Sequence, residues 1–95
     1  MALTERFEND KIEVVGTYKA VQVRRAEIIE KDGVEIARSF HRHALNCGTL
    51  NESDELVDTD ISGEDADVQA ICNAVWTDAV KDAYKAFLIA NKPAA

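Results

Sequence analysis

The chain has few of the residues that mark the commoner specialised classes. Two cysteines stand in 95 residues, with one proline, one methionine and one tryptophan. Cys47 and Cys72 are too few for a small disulfide-stapled secreted scaffold. Both are expected to be reduced, with Cys72 acting as a small buried hydrophobe. No apolar run is long enough to cross a bilayer, so no membrane partner is expected. The opening Met1-Ala2-Leu3-Thr4-Glu5-Arg6 lacks the basic stretch and apolar core of a secretory signal, and the expected location is cytoplasmic. Without a secretory route the Asn51-Glu52-Ser53 sequon carries no meaning. Phosphate loops, dinucleotide fingerprints and Ser/His/Asp arrangements with supporting glycines are all missing. An enzyme is therefore not expected, and nothing calls for a cofactor. No internal repeat or low-complexity tract appears.

What is present fits one small globular domain over residues 1–95. Hydrophobic residues make up 46% of the chain, an ordinary globular share that argues against disorder. The net charge is −7 and is unevenly placed. Residues 1–46 carry eight basic and eight acidic side chains, whereas residues 47–95 carry three basic and ten acidic. That excess favours solubility and makes nucleic acid an unlikely partner of the second half.

Residues 1–10 read as a lead-in, with Leu3 and Phe7 on one side of a brief helical turn capped by Thr4. Residues 11–30 are rich in Val, Ile, Tyr and Thr, a strand composition. Ile12, Val14 and Tyr18 share one parity, and Val21 and Val23 the other. This predicts a bend or bulge, with Gly16 the natural break. Asp32-Gly33 between two such runs is a hairpin turn, because glycine tolerates positive φ. A two-residue loop would pair Ile29 with Ile36 and Glu27 with Arg38. A three-residue loop would pair Ile28 with Ile36 and Arg24 with Phe40. The first is preferred, since it matches like with like and offsets a charge. Residues 46–61 read as an acidic loop, anchored by Leu50, Leu56, Val57 and Ile61.

Ser62 then reads as the cap of a helix over about 63–75, with Glu64, Asp65 and Asp67 at its positive end. Thr77 reads as the cap of a second helix over about 78–91. Pro93 cannot continue it, so its end falls near Asn91. The fold class expected is α+β: an antiparallel hairpin sheet over about 11–45, followed by two C-terminal helices packed on one face.

Four constellations could carry chemistry. His41 and His43 share one side of a strand and could ligate a metal, with Cys47 or a carboxylate completing the set. The blander reading is two histidines bonded to neighbours. Asp58, Asp60 and Ser62 before Gly63 resemble the opening of a calcium loop. The match fails later, at Asp65 and Gln69, and a polar loop leading to a helix is the expectation. Arg24, Arg25, Arg38 and Arg42, with His41 and His43, form a basic cluster with only Phe40 as a stacking aromatic. Phosphate binding is one reading of it. Pairing with the acidic segment Glu52–Asp67, within one chain or between copies, is the more economical. Trp76, near Tyr84 and Phe87 at helical spacing, is expected in the core. An exposed Trp76 would instead anchor an interface.

The segment Glu30-Lys-Asp-Gly-Val-Glu-Ile-Ala-Arg-Ser-Phe-His-Arg-His43, with Ser62-Gly-Glu-Asp-Ala-Asp-Val-Gln-Ala-Ile71 and Ala74-Val-Trp-Thr-Asp78, resembles small uncharacterised proteins of marine bacteriophages. The resemblance covers about residues 11–90 and implies a phage setting, with no site residue to transfer. The function expected is a non-enzymatic structural or protein-interaction module that self-associates, in a virion if the chain is phage-encoded. One alternative is a metal-binding module using His41 and His43. Another is an acidic inhibitor that mimics nucleic acid through residues 52–67.

Overall fold

The computed structural model describes residues 2–92. Three long strands come first: β1 (Leu3–Val15), β2 (Ala20–Lys31) and β3 (Val34–Leu45). They form one antiparallel sheet in the order β1-β2-β3. Two short strands follow, β4 (Gly48–Leu50) and β5 (Leu56–Asp58), paired with each other. Helices α1 (Ala66–Val75) and α2 (Asp78–Ala90) complete an α+β arrangement.

The hairpin at Asp32-Gly33 forms as its residue types dictate. Asp32 and Gly33 have φ of 52° and 83°, and Lys31 faces Val34 across a two-residue turn. Both central residues of such a turn need positive φ, which Asp-Gly supplies at little cost. The preferred register holds only at the tip, where Lys31 and Glu30 face Val34 and Glu35. A bulge then inserts one residue into β3, so Ile29 faces Ala37 and Glu27 faces Ser39, and neither expected register continues. Ile36 stays 56% exposed. The bulge brings Glu35 and Arg38 to one face, where their side chains bond at 2.8 and 3.1 Å.

The break at Gly16 is a full chain reversal rather than a bend. Gly16 and Lys19 take φ of 80° and 54°, and the Lys19 amide donates to the Gly16 carbonyl at 3.3 Å. The expected helical turn over residues 1–10 is likewise not formed. Leu3 to Asp10 form the first part of β1, because pairing along β2 satisfies their backbone groups where a two-turn helix could not support itself. A bulge at Asp10 shifts the β1–β2 register by one residue. Within the acidic loop, β4 and β5 form around the Asn51 side chain, which accepts from the amides of Ser53 and Glu55, both at 2.9 Å. Leu56 and Ile61 pack on the core as expected, whereas Val57 is half-exposed.

Helix α1 starts later than its cap signal suggested. Its N-cap is Asp65, and Ser62 instead sits in a turn, its amide bonded to the Asp60 carboxylate at 2.9 Å. Thr77 caps α2 as expected, its hydroxyl accepting from the Val80 amide at 3.3 Å. The helix ends at Ala90, with Asn91 as its C-cap. Pro93 lies outside the described residues.

The core is formed by Val21 and Val23 of β2, Cys47, Val68 and Cys72 of α1, and Trp76. Ile12, Leu45, Ile71, Val75 and Tyr84 pack around it. All of the β2 contribution comes from one end of that strand. The helices therefore cover only the part of the sheet near the Gly16 turn. The remainder, toward Asp32-Gly33, projects as a three-stranded arm, and the molecule measures 60 × 29 × 21 Å.

Candidate interaction surface

The registers assign each arm side chain to a face. Across β2, Arg24, Ala26, Ile28 and Glu30 point one way, with Arg6 and Glu8 of β1 and Arg38, Phe40 and Arg42 of β3 beside them. Val21, Val23, Arg25, Glu27 and Ile29 point the other way, toward the helix side, with Leu3 and Phe7 of β1 and His41 and His43 of β3. A strand alternates its side chains, so these sets follow directly from the pairing.

The first face is a lattice of charge. Arg24 donates to both oxygens of Asp10, at 3.0 and 2.7 Å. Arg6 bonds Glu30 at 2.7 Å and Glu8 at 3.2 Å. Arg38 bonds Glu35 and lies 3.5 Å from Glu8 and 4.0 Å from Asp10. The guanidinium hydrogen bonds hold the Asp10 and Glu35 carboxyls below their ordinary range, against the opposing effect of burial. Ala26 and Ile28, on the central strand, are fully covered although they lie outside the main core. Long arginine stems on the flanking strands can shield such residues while their charged heads stay in water.

Arg24 and Arg42 also stand over the Phe40 ring, at 4.4 and 6.0 Å from its centre. Beside them a shallow cleft of about 520 Å³ is lined by Lys11, Glu13, Gln22, Arg24 and Arg42. Its charge is largely answered: Lys11 pairs with Glu13 at 2.6 Å and Arg24 with Asp10.

Within one chain the arginines of the basic cluster pair elsewhere than with the acidic segment. Arg24 and Arg38 pair with carboxylates on β1 and β3, and Arg25 stacks on Phe7 with 4.4 Å to the ring centre. The difference arises because residues 5–10 are a strand and not a lead-in. With β1 beside β2, Glu8 and Asp10 are nearer than any residue of 52–67. Only His43 crosses to the acidic segment, its Nε2 lying 2.7 Å from Glu64 Oε1. Asn9 makes a parallel link, donating to Asp65 and Asp67 at 2.8 and 3.2 Å.

His41 and His43 share a face as their spacing required, but they turn to different carboxylates. His41 lies 3.3 Å from Glu27. Cys47 is buried in the core and belongs to neither. Among the described residues no group of three His, Cys, Asp or Glu side chains is disposed to hold a metal ion. In the segment resembling a calcium loop, Asp60 caps the turn at Ser62, which keeps its carboxyl below the usual range, while Asp58 pairs with Lys81 at 3.2 Å. Trp76 is 8% exposed and takes the core position. No helix among the described residues is long and apolar enough to cross a membrane.

The second face of the arm is different. Leu3, Phe7 and Val34 are exposed there at 63%, 46% and 65%, with Ile29 between them on β2. This apolar strip is hidden in the sequence because a helical reading of residues 1–10 explains Leu3 and Phe7 equally well. The alternation Leu3, Glu5, Phe7 against Thr4, Arg6, Glu8 is the signal that could have revealed it. Among the described residues neither edge of the sheet is covered by another strand, since β4 and β5 pair only with each other.

No protein-family model, curated protein or solved structure matches this chain.

Proposed function

We propose that this chain is a non-enzymatic structural module that assembles with copies of itself, in the virion setting implied by the resemblance to marine-phage proteins. The arm carries this reading. Beyond Asn9, Arg25 and His41, six or seven residues of each strand extend past the helices, a reach of roughly 20 Å at ~3.3 Å per residue. An isolated enzyme or small-ligand carrier has no evident use for such a projection. A sheet with long free edges and an uncovered apolar strip is a standing template for another chain. Exposed ion pairs contribute little each, so the arm gains most from being covered.

Sedimentation velocity across a concentration series, at low and high salt, tests the reading. A concentration-dependent assembly supports it. A strict monomer at every concentration and salt overturns it.

A further inference from the structure

The free edge of β1 is self-complementary. The Asp32 amide donates to the Ala2 carbonyl at 3.0 Å, so the backbone at Ala2 faces the β2 side. Successive residues of an antiparallel ladder alternate in direction. Leu3, Glu5, Phe7 and Asn9 therefore turn their N–H and C=O groups to the open edge. The bulge at Asp10 closes this regular stretch.

A two-fold antiparallel pair brings the residue on the axis opposite itself. An axis at Glu5, Arg6 or Glu8 sets like charges face to face, which is destabilising. An axis at Leu3 or Thr4 leaves almost no strand on one side, and one at Asn9 sets Glu8 opposite Asp10 at the bulge, again like charges. Phe7 remains. About Phe7, Arg6 of each copy faces Glu8 of the other, twice by symmetry, and Glu5 faces Asn9. Both charged residues lie on the face that already holds Arg38 and Glu30. The chain of pairs Arg38–Glu8 and Arg6–Glu30 then runs on across the boundary. The two Phe7 rings meet on the opposite face, beside the exposed apolar strip. The other edge, β3, has no equivalent. Its charged residues are arginines, apart from Glu35 next to the bulge.

We infer that a second copy of this chain adds through β1, antiparallel and in register about Phe7, to make a six-stranded sheet across a two-fold axis. This rests on the self-association proposed above and names its partner strand and register.

The test uses full-length Arg6→Glu and Glu8→Arg variants, each checked for folding by circular dichroism and thermal melting, in sedimentation equilibrium. Each alone should weaken self-association at least tenfold, because both facing pairs become repulsive. Mixing the two should restore it as a heterodimer, since the introduced carboxylate then faces the introduced guanidinium and the retained Glu8 faces the retained Arg6. Phe7→Pro should abolish it while the arm stays folded, because the Phe7 amide lies outside the β1–β2 ladder and proline is tolerated at such an edge. A wild-type assembly indifferent to all three variants overturns the register while leaving self-association standing. So does an open-ended series in place of a closed dimer. A monomeric wild type overturns both.

Discussion

The indole N–H of Trp76 donates to the backbone carbonyl of Lys19 at 2.8 Å. The bond joins the junction between α1 and α2 to the turn between β1 and β2. It fixes where the helices sit on the sheet, and hence how much of the sheet is left bare. Tyr18, in the same turn, packs its ring 5.4 Å from Tyr84 and 5.0 Å from Phe87 of α2.

Trp76→Phe keeps most of the apolar bulk and removes the donor. It should cost about 0.5–1.5 kcal/mol, the net worth of one hydrogen bond, because the acceptor belongs to exposed Lys19 and water can replace the indole. Trp76→Ala should cost about 3–5 kcal/mol through the cavity it leaves. Urea denaturation followed by far-ultraviolet circular dichroism measures both. Equal losses for the two variants would show that the bond to Lys19 matters no less than the packing.

Two glycines should respond to alanine for different reasons. Gly33 has φ of 83° and open space where a methyl group would stand, so Gly33→Ala meets only backbone strain. About 1 kcal/mol is expected. At Gly48 a Cβ would stand 2.7 Å from the Val57 carbonyl oxygen and 2.8 Å from Leu56 Cγ. Gly48→Ala must push β4 and β5 apart, and a loss of about 1–3 kcal/mol is expected from overpacking. Chemical denaturation of the pair tests the order.

Acid should loosen the charged face of the sheet. The Arg24 hydrogen bonds hold the Asp10 carboxyl low, and Arg38 does the same for Glu35. A carboxylate with a lower pKa folded than unfolded favours the folded state at neutral pH. Its contribution is complete above the unfolded value and is lost as pH falls through the folded one. The melting temperature should therefore hold from pH 7 to 5 and decline below about pH 4. An Asp10→Asn variant should show a shallower decline. An identical acid limb in variant and parent would remove Asp10 from the account.

Cys47 and Cys72 are both buried and free, and burial pushes both thiols up. An aromatic disulfide reagent should react slowly with the folded protein at pH 8 and quickly with both thiols in urea, because the nucleophile is the thiolate. A thiol pKa raised by folding also means stability that is whole below the unfolded value and fades as pH rises past about 8.5. Rapid native labelling of either residue would place it at the surface.

Much of the architecture is legible in the chain because it depends on neighbours a few residues apart. Asp32-Gly33 specifies its turn through the φ values those two residues tolerate. Thr77 caps α2 with its own hydroxyl. Val68, Cys72 and Trp76 fall at helical spacing and enter one core. The reversal at Gly16 is visible in the sequence only as a change of parity, and its four-residue form depends on Tyr18 packing against α2. Helix α1 starts at Ala66 with Asp65 as its N-cap, and Ser62 sits in a preceding turn with its amide bonded to Asp60.

The sequence by itself determined the α+β class, the hairpin turn and the helical character of the C-terminal segment, since local conformational preference and apolar periodicity decide those; the break between α1 and α2 and the burial of Trp76 were settled by packing. Tertiary structure alone decided that residues 3–9 are a strand, because a short stretch with mixed signals takes its conformation from whatever pairs with it. That pairing then decided the arginine partners, through the carboxylates β1 brings alongside β2. It also decided both register shifts, which arise from fitting three twisted strands together. And it decided the length of arm left beyond the helices, because two short helices can cover only the end of a sheet this long.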